Sequence, residues 1–160
     1  MRCRRGFTII ELVVLMAVIG LALAVALPRL AGFERAALKS QAGKLSTLLR
    51  YANESAATKR LYYKVSFDIE KGSVVVERSP DGKEFSVDTG IRGLKMSGGA
   101  VLRDIVVGGL GKMETGTVSV VFTPLGAAEE FSVHLGAGKD WFTVKFNPYS
   151  GKAVAVEGYA

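Results

Sequence analysis

From Phe7 to Leu27 the chain is apolar and holds a single ionisable side chain, Glu11. At about 1.5 Å of rise per residue that segment makes roughly 31 Å of helix, enough to cross a bilayer core. A carboxylate at the centre of a membrane helix costs on the order of 2.5 to 3.5 kcal/mol, and less near its edge, so such a residue needs a partner. The basic residues Arg4 and Arg5 just before Gly6 favour retention of the amino terminus in the cytoplasm, which would export everything after the span.

The stretch Gly6-Phe7-Thr8-Ile9-Ile10-Glu11-Leu12 resembles the prepilin signal shared by type IV pilins and type II secretion pseudopilins. The resemblance implies that a membrane prepilin peptidase cleaves between Gly6 and Phe7 and methylates the new amino terminus at Phe7. Residues 1–6 then become a removed leader, and residues 7–27 a single transmembrane and assembly helix in the inner membrane. Glu11 would meet the terminal ammonium of a neighbouring subunit. A staggered filament of parallel helices supplies that neighbour, which neutralises the buried acid and sets the register of assembly. An ordinary secretory signal peptide, with small residues at Ala22, Ala24 and Ala26, and a plain membrane anchor compete for the segment. Neither gives Gly6, Phe7 and Glu11 a joint role.

The sequence has 160 residues, so the chain beyond Leu27 has room for one globular head rather than two. Three of the 21 basic residues, Arg2, Arg4 and Arg5, lie in the leader, which leaves 18 against 15 acids in a processed chain. The formal charge of +6 therefore overstates its basicity. Cys3 is the sole cysteine and also falls in the leader, so neither a disulfide nor a thiolate metal site is expected.

Past the apolar run, Pro28 opens a second helical pattern with no linker, and residues 28–64 read as an amphipathic continuation of the helix. A proline in a helix interior removes one ladder bond and clashes with the preceding turn, so a kink is expected at Pro28. Leu38, Ala42, Leu45, Leu49, Ala52 and Ala56 recur at spacings of three and four, a stripe that requires a partner surface. The same stretch holds eight basic residues (Arg29, Arg35, Lys39, Lys44, Arg50, Lys59, Arg60, Lys64) against Glu34 and Glu54. Lipid headgroups, acidic surfaces of neighbouring subunits, nucleic acid, or water alone could face that charge.

After Lys64 the period changes to two, and residues 65–160 read as a β-rich periplasmic head. Tyr63 to Ile69 and Ser73 to Arg78 flank a Glu70-Lys71-Gly72 turn and predict a hairpin. Ser79 to Lys83 is a turn and Glu84 to Asp88 a short extended piece. The glycine-rich region from Gly90 to Gly116 carries one predicted strand, Val101 to Val107, and four more come after it: Val118 to Phe122, Glu130 to Leu135, Phe142 to Phe146 and Lys152 to Val156. One helix succeeded by many strands predicts an α+β fold, with a mainly antiparallel sheet packed on the long helix.

Catalytic constellations are missing from the pattern. His134, the sole histidine, sits in an alternating strand without a sequence neighbour to make a triad. Glu129 and Glu130 are adjacent and would point to opposite faces of a strand. Gly108-Gly109-Leu110-Gly111-Lys112-Met113 fails as a phosphate loop, with Val106 where a glycine is required and Met113 where a hydroxyl is. A non-enzymatic role without cofactor or metal is expected.

Leu48-Leu49-Arg50-Tyr51-Ala52 with Glu54-Ser55-Ala56, then Phe122-Thr123-Pro124-Leu125-Gly126 and Phe146 to Lys152, are similar to the minor pseudopilin H and FimT family. That resemblance implies a pilin-like fold and a structural subunit of the type II secretion pseudopilus, with other major and minor pseudopilins, the prepilin peptidase and methyltransferase, the assembly platform and the inner membrane as partners. A minor type IV pilin of the FimT kind is the alternative. Residues 65–160 hold ten basic against twelve acidic side chains, which argues against nucleic acid as a partner.

Overall fold

A computed structural model describes residues 8–125 and 129–160, with the side chains of residues 25–32 left outside the description. The chain divides into two compact units, residues 1–33 and 34–160. One helix, α1 (Ile9–Lys59), runs through the described part of the first unit and into the second. It stops short of the predicted residue 64. Arg60 adopts the left-handed conformation with φ of 56°, the geometry that commonly ends a helix, and strand β1 (Tyr62–Asp68) begins two residues later. The β-propensity of Tyr62 and Tyr63 prevails over the helical spacing that precedes them.

The stripe behaves as its spacing requires. Leu38, Ala42, Leu45, Leu49, Ala52 and Ala56 are all 0 % exposed, while Lys39, Lys44 and Arg50 between them stand in solvent. Alanines interspersed with leucines make up the stripe, and the head covers all six of them.

Among the described residues every strand pair in the head is antiparallel, but two sheets form instead of one. In the first, β1 is flanked by β2 (Ser73–Ser79) and by β7 (Thr117–Phe122), and β2 also carries the short strands β3 (Ser86–Val87) and β4 (Leu94–Lys95). The second runs β10 (Lys152–Glu157), β9 (Asp140–Asn147), β8 (Phe131–Ala137), β5 (Val101–Val107) and β6 (Gly111–Met113). The predicted hairpin is present, with Tyr63 opposite Arg78 and Phe67 opposite Val74. The two sheets meet through an aromatic cluster. Phe67 and Phe122 of the first sheet lie edge-on to Phe131 at centroid distances of 6.2 and 6.3 Å, and Phe122 meets Phe146 at 5.2 Å. Such pairs contribute roughly 0.5 to 1.5 kcal/mol each beyond their burial.

Strands β4 and β6 lie in the glycine-rich region, where the sequence pattern predicts no strand besides β5. β4 forms because Gly93 admits a close approach to β2: a Cβ there would stand 2.5 Å from the Val74 carbonyl oxygen. β6 returns along β5 after a turn, and its first residue, Gly111, has φ of 77°. The glycines that read as loop signals are thus the residues that let short edge strands pair.

Candidate functional site

Two places concentrate the residues that could carry function: the amino-terminal apolar turns around Glu11 and a polar cluster on the second sheet. Gly6 and Phe7 lie outside the described residues, so their expected cleavage and methylation have no structural counterpart here. Thr8 starts the helix. Its carbonyl oxygen accepts from the Glu11 and Leu12 amides, and its Oγ1 accepts from the Glu11 amide at 3.3 Å. This is one half of a capping box, and Thr8 to Glu11 carries its Thr-x-x-Glu signature. Glu11 also places a negative charge in the first helical turn, where the helix dipole favours it.

The next turns present an apolar surface without cover in the single chain. Ile9 is 85 % and Leu21 71 % exposed, and Val13, Val14, Met16 and Val18 are exposed as well. Glu11, Val14, Leu15 and Val18 succeed one another at spacings of three, one and three, so they share one face and line a shallow depression. Among the described residues, no helix is long and apolar enough to cross a membrane. The expected span 7–27 reaches past the described side chains at both ends. Pro28 lies within the helix, its side chain outside the description.

The second cluster was missed by sequence reasoning. A β-bulge between Leu102 and Asp104 shifts the β5 register so that Asp104 falls directly opposite His134. His134 Nδ1 lies 2.6 Å from Asp104 Oδ1, and Nε2 lies 3.3 Å from the Ala160 carbonyl oxygen. The Tyr159 ring stacks on the imidazole at 4.0 Å, and its hydroxyl donates to Asp104 Oδ1 at 3.4 Å. Thr143 Oγ1 ties down the same tail, donating to the Gly158 carbonyl at 2.7 Å and accepting from the Ala160 amide at 3.1 Å. Lys112 approaches Asp104 at 3.7 Å and pairs with Glu114 at 2.8 Å, which raises the Lys112 ammonium above the ordinary lysine range. Strand residues 30 apart in sequence gave no local signal for this pairing.

Every polar partner in the cluster is a side chain or backbone group of the same sheet and tail, and no hydroxyl nucleophile is hydrogen-bonded to the imidazole among the described residues. The arrangement fastens residues 158–160 across the sheet. Among the described residues no group of three or more His, Cys, Asp or Glu side chains could hold a metal ion. Glu129 and Glu130 are exposed, and Glu129 accepts from the Gly109 amide at 3.1 Å.

The cationic helix is partly neutralised by the head itself. Arg35 pairs with Glu157, and Lys64, now on β1, with Glu77 at 2.7 Å. Lys59 reaches both the Tyr51 and Tyr63 hydroxyls, at 3.3 and 3.4 Å, and Tyr51 is 38 % exposed at the helix surface. Ser55 and Lys59 hold the Tyr51 phenol below its ordinary value.

Residues 1–27 match the model of the prokaryotic N-terminal methylation motif. A solved structure of the minor pseudopilin EpsH, from the type 2 secretion system of Vibrio cholerae, superposes on this chain with a TM-score of 0.63 at 14 % identity, over 78 % of this chain and 99 % of that one. The fold is that of a minor pseudopilin. A second structure of EpsH from Vibrio cholerae agrees, with a TM-score of 0.60 at 14 % identity, over 78 % of this chain and 96 % of that one. No curated protein matches the chain. The shared fold is α+β and pilin-like, a long helix packed against antiparallel sheets.

Proposed function

We propose that this chain is a minor pseudopilin, a non-enzymatic subunit that is held in the inner membrane with its head in the periplasm until it joins a type II secretion pseudopilus. The observation that carries the reading is the exposed apolar face around Glu11, set inside a matched N-terminal methylation motif. A surface of that kind is stable in lipid, or against identical and related helices, and not in water. Cleavage after Gly6 frees an amine on Phe7. In the assembled filament the ammonium of one subunit neutralises Glu11 of the next, so leaving the bilayer becomes favourable only at the correct register. Pro28 supplies the bend that lets the helix follow its neighbours. The EpsH structures, by their description, belong to a type 2 secretion system, and the shared fold supports the same setting for this chain.

Mass spectrometry of the processed protein together with filament incorporation tests the reading. The expected mature amino terminus is an N-methylated Phe7, and Glu11→Leu should insert in the membrane normally yet fall at least tenfold in filament incorporation. An amino terminus after Ala26, or normal assembly of Glu11→Leu, refutes it.

A further inference from the structure

Between α1 and the segment that precedes β4 the head carries a groove of about 810 Å³ that no polar network fills. Its lining includes Gly43, an exposed helical glycine with nothing within 4 Å of the position a Cβ would occupy, and Thr47, whose hydroxyl donates to the Gly43 carbonyl at 3.0 Å. Glycine in a helix interior is unfavourable relative to alanine, and among the described residues no contact requires it here. Its effect is to keep the groove open.

The walls are apolar: Leu48 and the Tyr51 ring from the helix, Ile91 and Leu94 from the facing segment. They are also fixed. Leu94 pairs with Val74, the Met96 amide donates to the Gly72 carbonyl at 2.8 Å, and Gly93 fits against the Val74 carbonyl where a side chain could not. Lys44 stands on one rim and Arg92 on the other, both exposed and, among the described residues, without an ion-pair partner. Lys59 adds a third cation at the Tyr51 end, 5.4 Å from the ring centroid. The carboxylate nearest in sequence to the facing segment, Asp88, is buried, accepts from the Gly90 amide at 2.9 Å and has Arg78 at 3.9 Å, and among the described residues it forms no ion pair with Lys44 or Arg92.

We infer that this groove receives a segment of a sibling filament subunit in which an apolar side chain is flanked by carboxylates. The apolar side chain seats over Gly43 between Leu48 and Ile91, and the carboxylates meet Lys44 and Arg92. A rigid, open apolar slot gives affinity, and unpaired cations on opposite rims set the sign of what enters and its orientation. The inference rests on the filament reading above and names the surface by which the head selects its neighbour.

The test uses the full chain in cells that express its sibling prepilins, with p-benzoylphenylalanine at the exposed Ser40, one turn before Lys44. Irradiation should crosslink a sibling subunit at a peptide that contains both Asp or Glu and a large apolar residue. Gly43→Leu, whose Cβ meets open space, and the pair Lys44→Glu with Arg92→Glu should each lower the yield at least tenfold without lowering the melting temperature of the head. A crosslink to a second copy or to phospholipid overturns the inference, as does an undiminished yield in either variant. Filament incorporation without a crosslink to an acidic segment overturns the groove alone. Absence of the unsubstituted chain from filaments overturns the filament reading along with it.

Discussion

His134 and Asp104 face each other across the β5 and β8 pair with 2.6 Å between imidazole Nδ1 and carboxylate Oδ1, and both side chains are buried. The Ala160 carbonyl and the Tyr159 ring close over the imidazole, so the pair is both a cross-strand contact and the anchor of the tail.

Removing one member of a buried hydrogen-bonded pair leaves the other unsatisfied at about 1 to 3 kcal/mol. His134→Ala is therefore expected to lower the unfolding free energy by that amount and to release Tyr159. Urea denaturation monitored by far-ultraviolet circular dichroism measures the first effect, and Tyr159 fluorescence quenching by acrylamide the second. A loss within about 0.5 kcal/mol, the range of ordinary surface substitutions, refutes the anchoring role.

Leu49 is fully buried on the helix stripe whereas Lys39, off the stripe, is exposed. Leu49→Ala should cost about 2 to 5 kcal/mol through lost transfer and the cavity left behind. Lys39→Ala should change stability by less than about 0.5 kcal/mol. Equal effects in thermal melts of the two variants would contradict the assignment of the faces.

Two glycines respond oppositely to a methyl group. Gly43→Ala meets open space in a helix and should stabilise the head by about 0.5 to 1 kcal/mol. Gly93→Ala puts a Cβ 2.5 Å from the Val74 carbonyl oxygen, and the overpacking should cost about 1 to 3 kcal/mol while detaching β4. Amide exchange at Leu94 and Lys95 reads the detachment directly.

Asp68 accepts from the Lys71 side chain and amide, and these bonds hold its carboxyl below the ordinary aspartate value of 3.8. A depressed carboxyl contributes stability that is complete above 3.8 and is lost as the pH falls through its folded value. Lys71 is raised above 10.5 by the same contact, so its contribution is complete below 10.5 and is lost as the pH rises further. Lys71 is solvent-exposed and Asp68 partly so, which keeps the effects small. The pH dependence of melting should flatten at both extremes in Asp68→Asn, and an unchanged profile would refute the coupling.

Much of the fold was legible because it is periodic. The six buried stripe positions of α1, the β1 and β2 hairpin, the strand from Val101 to Val107 and the four strands after it arise from spacings of three and four, or of two, that burial alone enforces. The helix end was misjudged since apolar spacing near residue 60 fits either period, and the left-handed Arg60 decided it. At the amino terminus, the Thr8 cap could have been read from the chain, because a capping box is a local contact.

What the amino-acid order determined by itself is whatever depends on neighbours along the chain: the lone carboxylate in an apolar segment, the faces of the helix, the turns and the order of strands. Tertiary structure alone decided which distant residues meet. Two sheets formed in place of one because four phenylalanines from β1, β7, β8 and β9 bury one another between them. Asp104 found His134 through a one-residue bulge, and Gly93 brought β4 to β2 and thereby walled the groove over Gly43. Contacts of that kind depend on register and on the shape of a closed core, which arise only once all the strands are in place.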